Sequence, residues 1–186
     1  MKNNMLTRDY IKIEEGKITT LVSERCNGMS TLLCEYADEY LKNNDGNVLI
    51  VSHSTEGAKH TMEKLVSLGC DKTRIKYMAI SNLLHGLIGK NYGMIIYDCP
   101  DIHDSENINH LSLLRNQLNS KIIIGITWEN IAFDKQVNKI IKKIFTNESD
   151  YAYYLSTTCI GRTLFYEIEN TKLEDYKEEI NELWGE

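Results

Sequence analysis

A short stretch of the sequence, SERCNGMST (Ser23–Thr31), carries the residue types of a phosphate-binding loop. It lies between an apolar run, Ile18–Val22, and a strongly helical one, Leu32–Leu41. In a loop of the form G-x-x-x-x-G-K-[ST], backbone N–H groups cradle phosphates, a lysine bridges the outer phosphates, and a hydroxyl holds magnesium. The position between a strand and a helix is therefore the right one for such chemistry.

The match to that form is partial. Ser23 replaces the first glycine, Gly28 holds the second, and Met29 replaces the lysine. Ser30 holds the hydroxyl position, with Thr31 behind it. Two interpretations stay open at this point: a phosphate loop, or an ordinary strand-to-helix turn capped by Ser30.

A second chemical candidate is the acid that ends the apolar stretch MIIYD (Met94–Asp98). A hydrophobic strand ending in Asp positions the magnesium in P-loop proteins, so we expect Ser30 and Asp98 to be metal ligands. The residues that follow could form a divalent-metal site. We interpret them instead as a polar loop: Cys99, Asp101, His103 and Asp104.

Strand and helix patterns alternate along most of the chain. The predicted strands are apolar runs at Ile18–Val22, Asn47–Ser52, Arg74–Ile80, Gly93–Asp98 and Lys121–Thr127. The predicted helices are Ser30–Lys42, Thr55–Leu68, Ser81–Ile88, Asn107–Asn119 and Asp134–Phe145. This alternation predicts an α/β fold with a mainly parallel sheet sandwiched by helices. Ligands of such sheets bind at the carboxyl ends of the strands, where the loop and Asp98 both stand.

The pattern changes towards the C-terminus. Tyr151–Thr158 and Arg162–Glu169 flank CIG and predict an antiparallel hairpin. Lys172–Trp184 has apolar residues on one helical side and acids on the other, so we expect residues 170–186 to form an acidic amphipathic helix. With a single proline and no Gly/Ser linker, residues 1–186 are predicted to form one domain.

Composition narrows the class of protein. The chain has 186 residues, with 42% hydrophobic and 26% charged, which is typical of a globular domain. No apolar run approaches the roughly 18–20 residues of a membrane span, and the N-terminus lacks a signal-peptide block. We therefore expect a cytoplasmic protein (host-cell cytoplasm if viral) with no membrane contact. Five widely spaced cysteines without a C-x-x-C pair argue against a disulfide framework and a structural zinc site.

These features together resemble the RecA-type core of RecA recombinases and DnaB-type replicative helicases. The resemblance rests on GKITTLVS, the degenerate loop, NVLIVS, GMIIYD, KIIIGIT and the hairpin DYAYYLS…GRTLFYEI, from about Gly16 to Glu169. It implies a RecA-like P-loop domain that binds ATP or ADP with Mg²⁺ and forms homo- or hetero-oligomers with RecA-like subunits. The implied nucleotide contacts are Ser23, Arg25, Asn27, Gly28, Met29, Ser30 and Thr31.

A rival resemblance is the ATPase of phage large terminases. Their phosphate loop often carries an arginine at the position of Arg25. The hairpin favours the RecA type.

The sequence departs from the RecA-type pattern at three places. Met29 replaces the loop lysine, and Ser54 stands near the usual catalytic glutamate, with Glu56 two residues further on. Thr127 and Trp128 stand where the DnaB type commonly has a glutamine. Because the lysine stabilises transition-state charge by several kcal/mol, we expect hydrolysis to be slow or absent. Backbone amides and the helix N-terminus persist, so we expect nucleotide binding to survive. Glu56 is the remaining catalytic candidate.

A nucleic-acid contact is expected on the helix predicted at Asp134–Phe145. Elements after the fifth strand often face DNA in the RecA type, and four phosphate contacts would give weak, salt-sensitive binding. The alternative is a solvated helix face. The lysines on one side of this helix are Lys135, Lys139, Lys142 and Lys143.

Three functions remain open. The first is a degenerate RecA/DnaB-like P-loop protein of DNA replication or recombination, of phage or mobile-element origin, that binds nucleotide weakly with little or no hydrolysis. The second is a pseudo-ATPase scaffold or regulator that assembles with an active RecA-like ATPase or helicase. The third is a packaging-type ATPase in which Arg25 supplies the function of the lysine.

Overall fold

The computed structural model describes residues 11–24, 28–98, 107–128, 149–160 and 163–170. The strands are β1 (Ile18–Glu24), β2 (Val48–Ser52), β3 (Ile75–Ala79), β4 (Met94–Asp98), β5 (Lys121–Trp128), β6 (Tyr151–Ile160) and β7 (Thr163–Asn170). The α-helices are α1 (Met29–Asn43), α2 (Thr55–Ser67), α3 (Leu83–Leu87) and α4 (Asn107–Arg115). Short 3₁₀ turns at Lys72–Arg74 and Ile80–Asn82 flank β3.

The strands form a seven-stranded sheet in the order β3-β2-β4-β5-β1-β6-β7. All neighbouring pairs from β3 to β6 are parallel, and β6 pairs with β7 antiparallel. The predicted fold class, a mainly parallel α/β sheet with a C-terminal antiparallel hairpin, is confirmed. The first strand of the hairpin runs parallel to β1, so the change of direction lies within the hairpin itself.

Helices cover both faces of the sheet. On one face, α1 and α2 pack on alternate strand residues such as Ile50, Ile96 and Ile123. On the other, α3 and α4 pack on the intervening residues, such as Leu49 and Ile95. This alternation follows from the two-residue period of a strand, and it explains why the central strands read as continuous apolar runs. Within the ranges described, no helix is long and apolar enough to cross a bilayer.

Most predicted boundaries are shifted by one or two residues. The largest difference is at α4, which ends at Arg115 although the pattern predicted a helix to Asn119. Turn hydrogen bonds from Gln117 and Ser120 follow it, in a segment rich in the turn-forming residues Asn and Ser. The helix predicted at Asp134–Phe145 lies outside the described residues. So does the predicted tail helix, apart from Asn170, which ends β7.

Three hydrogen bonds join the start of β1 to the residue that precedes β6. The Asp150 carboxylate accepts a hydrogen bond from the Ile18 N–H at 2.9 Å and one from the Lys17 ammonium at 3.1 Å. The Asp150 N–H in turn donates to the Ile18 carbonyl at 2.9 Å. Burial alone would raise the pKa of Asp150, but the two donors outweigh it and hold that pKa below its ordinary value.

We predict that Asp150→Asn lowers the free energy of unfolding by about 1 kcal/mol at about pH 7, since two charge-assisted hydrogen bonds are weakened at a solvent-screened position. A lowered carboxyl pKa stabilises the fold above the unfolded-state pKa of about 3.9, and this contribution disappears as pH falls through the folded-state pKa. The difference between the variant and the parent protein should therefore shrink below about pH 4 in urea titrations. Asp45→Asn, in an exposed turn, is the control. A difference that stays constant with pH would contradict the assignment.

Candidate functional site

The candidate loop begins later than the sequence predicted, because β1 continues to Glu24. Ser23 is a buried strand residue in register with Thr127 of β5 and Leu155 of β6. Ser23 therefore belongs to the sheet and not to a loop. Arg25 and Asn27, two of the predicted nucleotide contacts, lie outside the described residues.

Gly28 starts the helix. It is the N-cap of α1 with φ 74°, a left-handed conformation that favours glycine. The Leu32 N–H donates to the Gly28 carbonyl at 3.0 Å, which closes the first helical turn. No side chain of the described residues caps α1, and its first turn contains no acid. The interpretation of Ser30 as the helix cap is therefore wrong, because Gly28 holds the N-cap position. Thr31, the last predicted contact, is exposed in that turn.

Ser30 meets Asp98 at the carboxyl edge of the sheet. The Ser30 hydroxyl donates to Oδ1 of Asp98 at 3.2 Å. Asp98 is the last residue of β4, only 6% exposed, in register with Ser52 of β2 and Gly125 of β5. The structure thus brings together the two residues that the sequence predicted as metal ligands, which are 68 residues apart in the chain.

Thr61 is a member of the site that the sequence analysis missed. Its hydroxyl lies 2.6 Å from Oδ2 of Asp98, and Thr61 is 2% exposed. It shares the inward face of α2 with Ala58, Met62 and Leu65. A polar residue on the apolar face of an amphipathic helix was the available signal, because a buried hydroxyl requires a partner.

Met29, at the lysine position, is a core residue. It is 3% exposed and belongs to the cluster beneath α1 and α2. A Cβ added to Gly125 of β5 would lie 2.9 Å from its Cγ and 3.1 Å from its Sδ. The same Cβ would lie 2.7 Å from Cδ1 of Leu33. The side chain of Met29 therefore packs down on the sheet, in space that a glycine leaves open.

The other positions of the RecA-type pattern have structural roles of their own. Ser54 caps α2, since its hydroxyl accepts from the Gly57 N–H at 3.1 Å. Glu56 is exposed in the first turn of α2, where its negative charge interacts favourably with the positive end of the helix dipole. Thr127 lies in β5 opposite Ser23, and Trp128 ends that strand. Nothing in this geometry assigns Glu56 a catalytic role, and it stays a sequence prediction.

The donor set at the end of β4 fits magnesium. Mg²⁺ takes oxygen ligands and is usually held by one or two protein groups together with phosphates and water. Ser30 and Asp98 offer a hydroxyl and a carboxylate 3.2 Å apart beside a helix N-terminus. Among the residues that the structure describes, no three His, Cys, Asp or Glu side chains form a metal-binding group. Cys99, Asp101, His103 and Asp104 lie outside that part of the chain, as do Lys135, Lys139, Lys142 and Lys143.

Cys34 of α1 lies at the contact between α1 and α2. The Cys34 thiol contacts the carbonyl of Thr61 at 3.7 Å. Burial first, and then the negative charge of Asp98, raises the pKa of Cys34 to about 12. The thiol is therefore protonated at neutral pH and is not a nucleophile.

The sheet order and the two helix layers are those of a RecA-like α/β fold. The chain is similar to the flagellar accessory protein FlaH from Methanocaldococcus jannaschii, with a TM-score of 0.52 and 17% identity, covering 86% of this chain and 80% of that one. It is also similar to a KaiC-like protein from Pyrococcus horikoshii OT3, with a TM-score of 0.60 and 13% identity, covering 95% and 89%. Both structures belong to that fold, and at these identities the likeness establishes the fold alone. No protein-family model matches the sequence, and no curated relative matches it.

We predict that Gly125→Ala lowers the free energy of unfolding by about 1–3 kcal/mol, because the added methyl overpacks the contact with Met29 and Leu33. The loss should be smaller in a Met29→Ala background, where part of the obstructing side chain is gone. A double-mutant cycle measured by urea denaturation gives this coupling directly. Strictly additive losses would show that Met29 does not pack on Gly125.

Proposed function

We propose that the chain binds ATP or ADP with Mg²⁺ at the N-terminus of α1, weakly and with little or no hydrolysis. The observation that carries the proposal is the contact between the Ser30 hydroxyl and the Asp98 carboxylate at the carboxyl edge of the sheet. A hydroxyl from the loop helix and an acid from a buried strand are the pair with which P-loop proteins hold magnesium. Gly28 and the uncapped first turn of α1 add N–H donors for the phosphates.

We expect weak turnover because of the environment of Met29, which stands where the P-loop pattern has lysine. In a P-loop, the lysine ammonium neutralises charge on the outer phosphates. Here the side chain at that position is apolar and buried against Gly125 and Leu33. Bound Mg²⁺ would supply part of the missing positive charge, and backbone donors would hold the ground-state nucleotide. Neither replaces the lysine in stabilising the transition state.

We also propose the setting that the sequence resemblance implies: DNA replication or recombination, in association with like or different RecA-like subunits. This part of the proposal rests on the resemblance to RecA and DnaB-type proteins. The lysines predicted to contact DNA are Lys135, Lys139, Lys142 and Lys143.

A pseudo-ATPase scaffold is the second candidate, and the burial of Met29 favours it. A side chain that packs the interface between α1 and β5 contributes to folding whether or not nucleotide binds. Such a protein would keep the fold in order to join or regulate an active RecA-like ATPase. The packaging-type ATPase is the remaining alternative, and it depends on Arg25, which lies outside the described residues.

Calorimetry with ATP or ADP tests the first proposal. The parent protein should bind more tightly with Mg²⁺ than with EDTA, and Ser30→Ala or Asp98→Asn should reduce that gain about tenfold, because each removes a metal ligand. Ser67→Ala, an exposed hydroxyl at the far end of α2, is the matched control. A Kd of about 1 mM corresponds to a binding free energy of about −4 kcal/mol. If no heat of binding is seen up to about 1 mM nucleotide, the proposal is refuted.

Met29→Lys separates the two candidates. If nucleotide binds in the predicted way, the new ammonium should bring phosphate release above background, measured with and without single-stranded DNA, whereas the uncharged Met29→Gln should not. Met29→Gln places a neutral polar group in a buried position and should lower the free energy of unfolding by about 1–3 kcal/mol, and Met29→Lys, which introduces a charge there, should lower it by more. A protein that binds nucleotide but stays inactive as Met29→Lys would favour the scaffold.

A further inference from the structure

Both oxygens of the Asp98 carboxylate accept a hydroxyl hydrogen bond, and the two donors come from different helices. Oδ1 accepts from Ser30 of α1 at 3.2 Å, and Oδ2 accepts from Thr61 of α2 at 2.6 Å. We propose that Thr61 is a positioning residue that holds the Asp98 carboxylate in the orientation required for it and Ser30 to take Mg²⁺ with a nucleotide. This inference rests on the proposed function and extends it to a helix outside the phosphate loop.

The Thr61 hydroxyl has one hydrogen and two acceptors within reach. The Gly57 carbonyl is 3.3 Å away, whereas Oδ2 of Asp98 is 2.6 Å away. A short hydrogen bond to a carboxylate is stronger than a long one to a neutral carbonyl. Thr61 and Asp98 are both buried, so water does not compete for either group. The hydrogen is therefore directed to Asp98.

The close approach of Gly57 to Ser52 places the start of α2 against the end of β2. A Cβ added to Gly57 would lie 2.8 Å from Oγ of Ser52 and 3.2 Å from Oγ of Ser54. Ser52 ends β2 and is in register with Asp98. The first turn of α2 thus sits directly on the strand ends because Gly57 has no side chain. This close approach brings Thr61, one turn further along the helix, within hydrogen-bond distance of Asp98.

The two hydroxyls differ in what they can do for a metal. Ser30 is partly exposed at the helix N-terminus, and its oxygen retains lone pairs while its hydrogen goes to Asp98. Thr61 is fully enclosed and acts on a metal only through the carboxylate. The contact of Asp98 with Ser30 is the longer one, so Thr61 provides the stronger restraint on the carboxylate plane. Partners of metal-ligating carboxylates commonly change metal affinity about 10–100-fold when removed.

The test compares Thr61→Val, which keeps the shape and loses the hydroxyl, with Thr61→Ser, which keeps the hydroxyl. Thr61→Ala is a second hydroxyl-free variant in case valine prevents folding. For each full-length protein, calorimetry gives the affinity for ADP with Mg²⁺ and with EDTA. Thr61→Val should lower the ratio of the affinity in Mg²⁺ to the affinity in EDTA about tenfold, and it should leave the affinity in EDTA within about twofold. Thr61→Ser should restore the ratio of the parent protein. Loss of packing alone would weaken binding equally in Mg²⁺ and in EDTA.

A crystal structure of ligand-free Thr61→Val supplies a readout that does not depend on nucleotide. We expect the Asp98 carboxylate to rotate away from the Ser30 hydroxyl in that variant. An unchanged contact together with an unchanged affinity ratio would overturn the positioning role. The positioning role would also be overturned if the parent protein binds ADP equally well in Mg²⁺ and in EDTA. In that case nucleotide binding itself would stand. A parent protein that binds no ADP overturns the proposed function itself, and with it this inference.

Discussion

The carboxylate of Asp98 is the group on which the geometry of the site depends. A buried charge costs several kcal/mol unless hydrogen bonds replace its lost water, and here two hydroxyls do so. Because Ser30 belongs to α1 and Thr61 to α2, satisfying this one carboxylate fixes both helices against the end of β4. Contacts within the folded chain therefore set the positions of the helices and the strand that carry the candidate site.

The start of α1 faces two environments at once. Ser30 and the first turn of α1 lie at the carboxyl edge of the sheet, where a ligand of a parallel sheet binds. Met29, one residue earlier, lies beneath them against Gly125 and Leu33. Core packing and phosphate chemistry thus compete for the same position of the loop. In this chain the side chain at that position packs in the core, so it supplies no positive charge at the carboxyl edge of the sheet.

The order of elements was predictable from sequence because the parallel strands are buried on both faces and appear as apolar runs, as Val48–Ser52 and Met94–Asp98 do. The pairing of Ser30 with Asp98 was also predictable, since both follow from where strands end. The inward packing of Met29 was not, because it depends on the empty space over Gly125 in a strand remote in sequence. Thr61 was missed for a similar reason: its partner lies on another element, and a lone threonine on an apolar helix face has no motif. The sequence predicted α3 and α4 to be longer than they are, because the helical spacing of apolar residues continues into segments whose residues also favour turns.

The matches and the mismatches between this chain and the P-loop pattern fall into two chemical groups. Gly28, Ser30 and Asp98 match the pattern, and they are the groups that would contact a nucleotide and its metal in the ground state. The lysine, the glutamate and the glutamine of the RecA-type pattern are replaced, and the first two stabilise or prepare the transition state. Folding does account for Asp98 and for Gly28, since one is a satisfied buried charge and the other a left-handed helix start. Ser30 is different: it is partly exposed, and Thr61 already makes the shorter contact to the same carboxylate. The hydroxyl at position 30 is thus the feature that folding explains least, and it is the one that most favours the proposed nucleotide site.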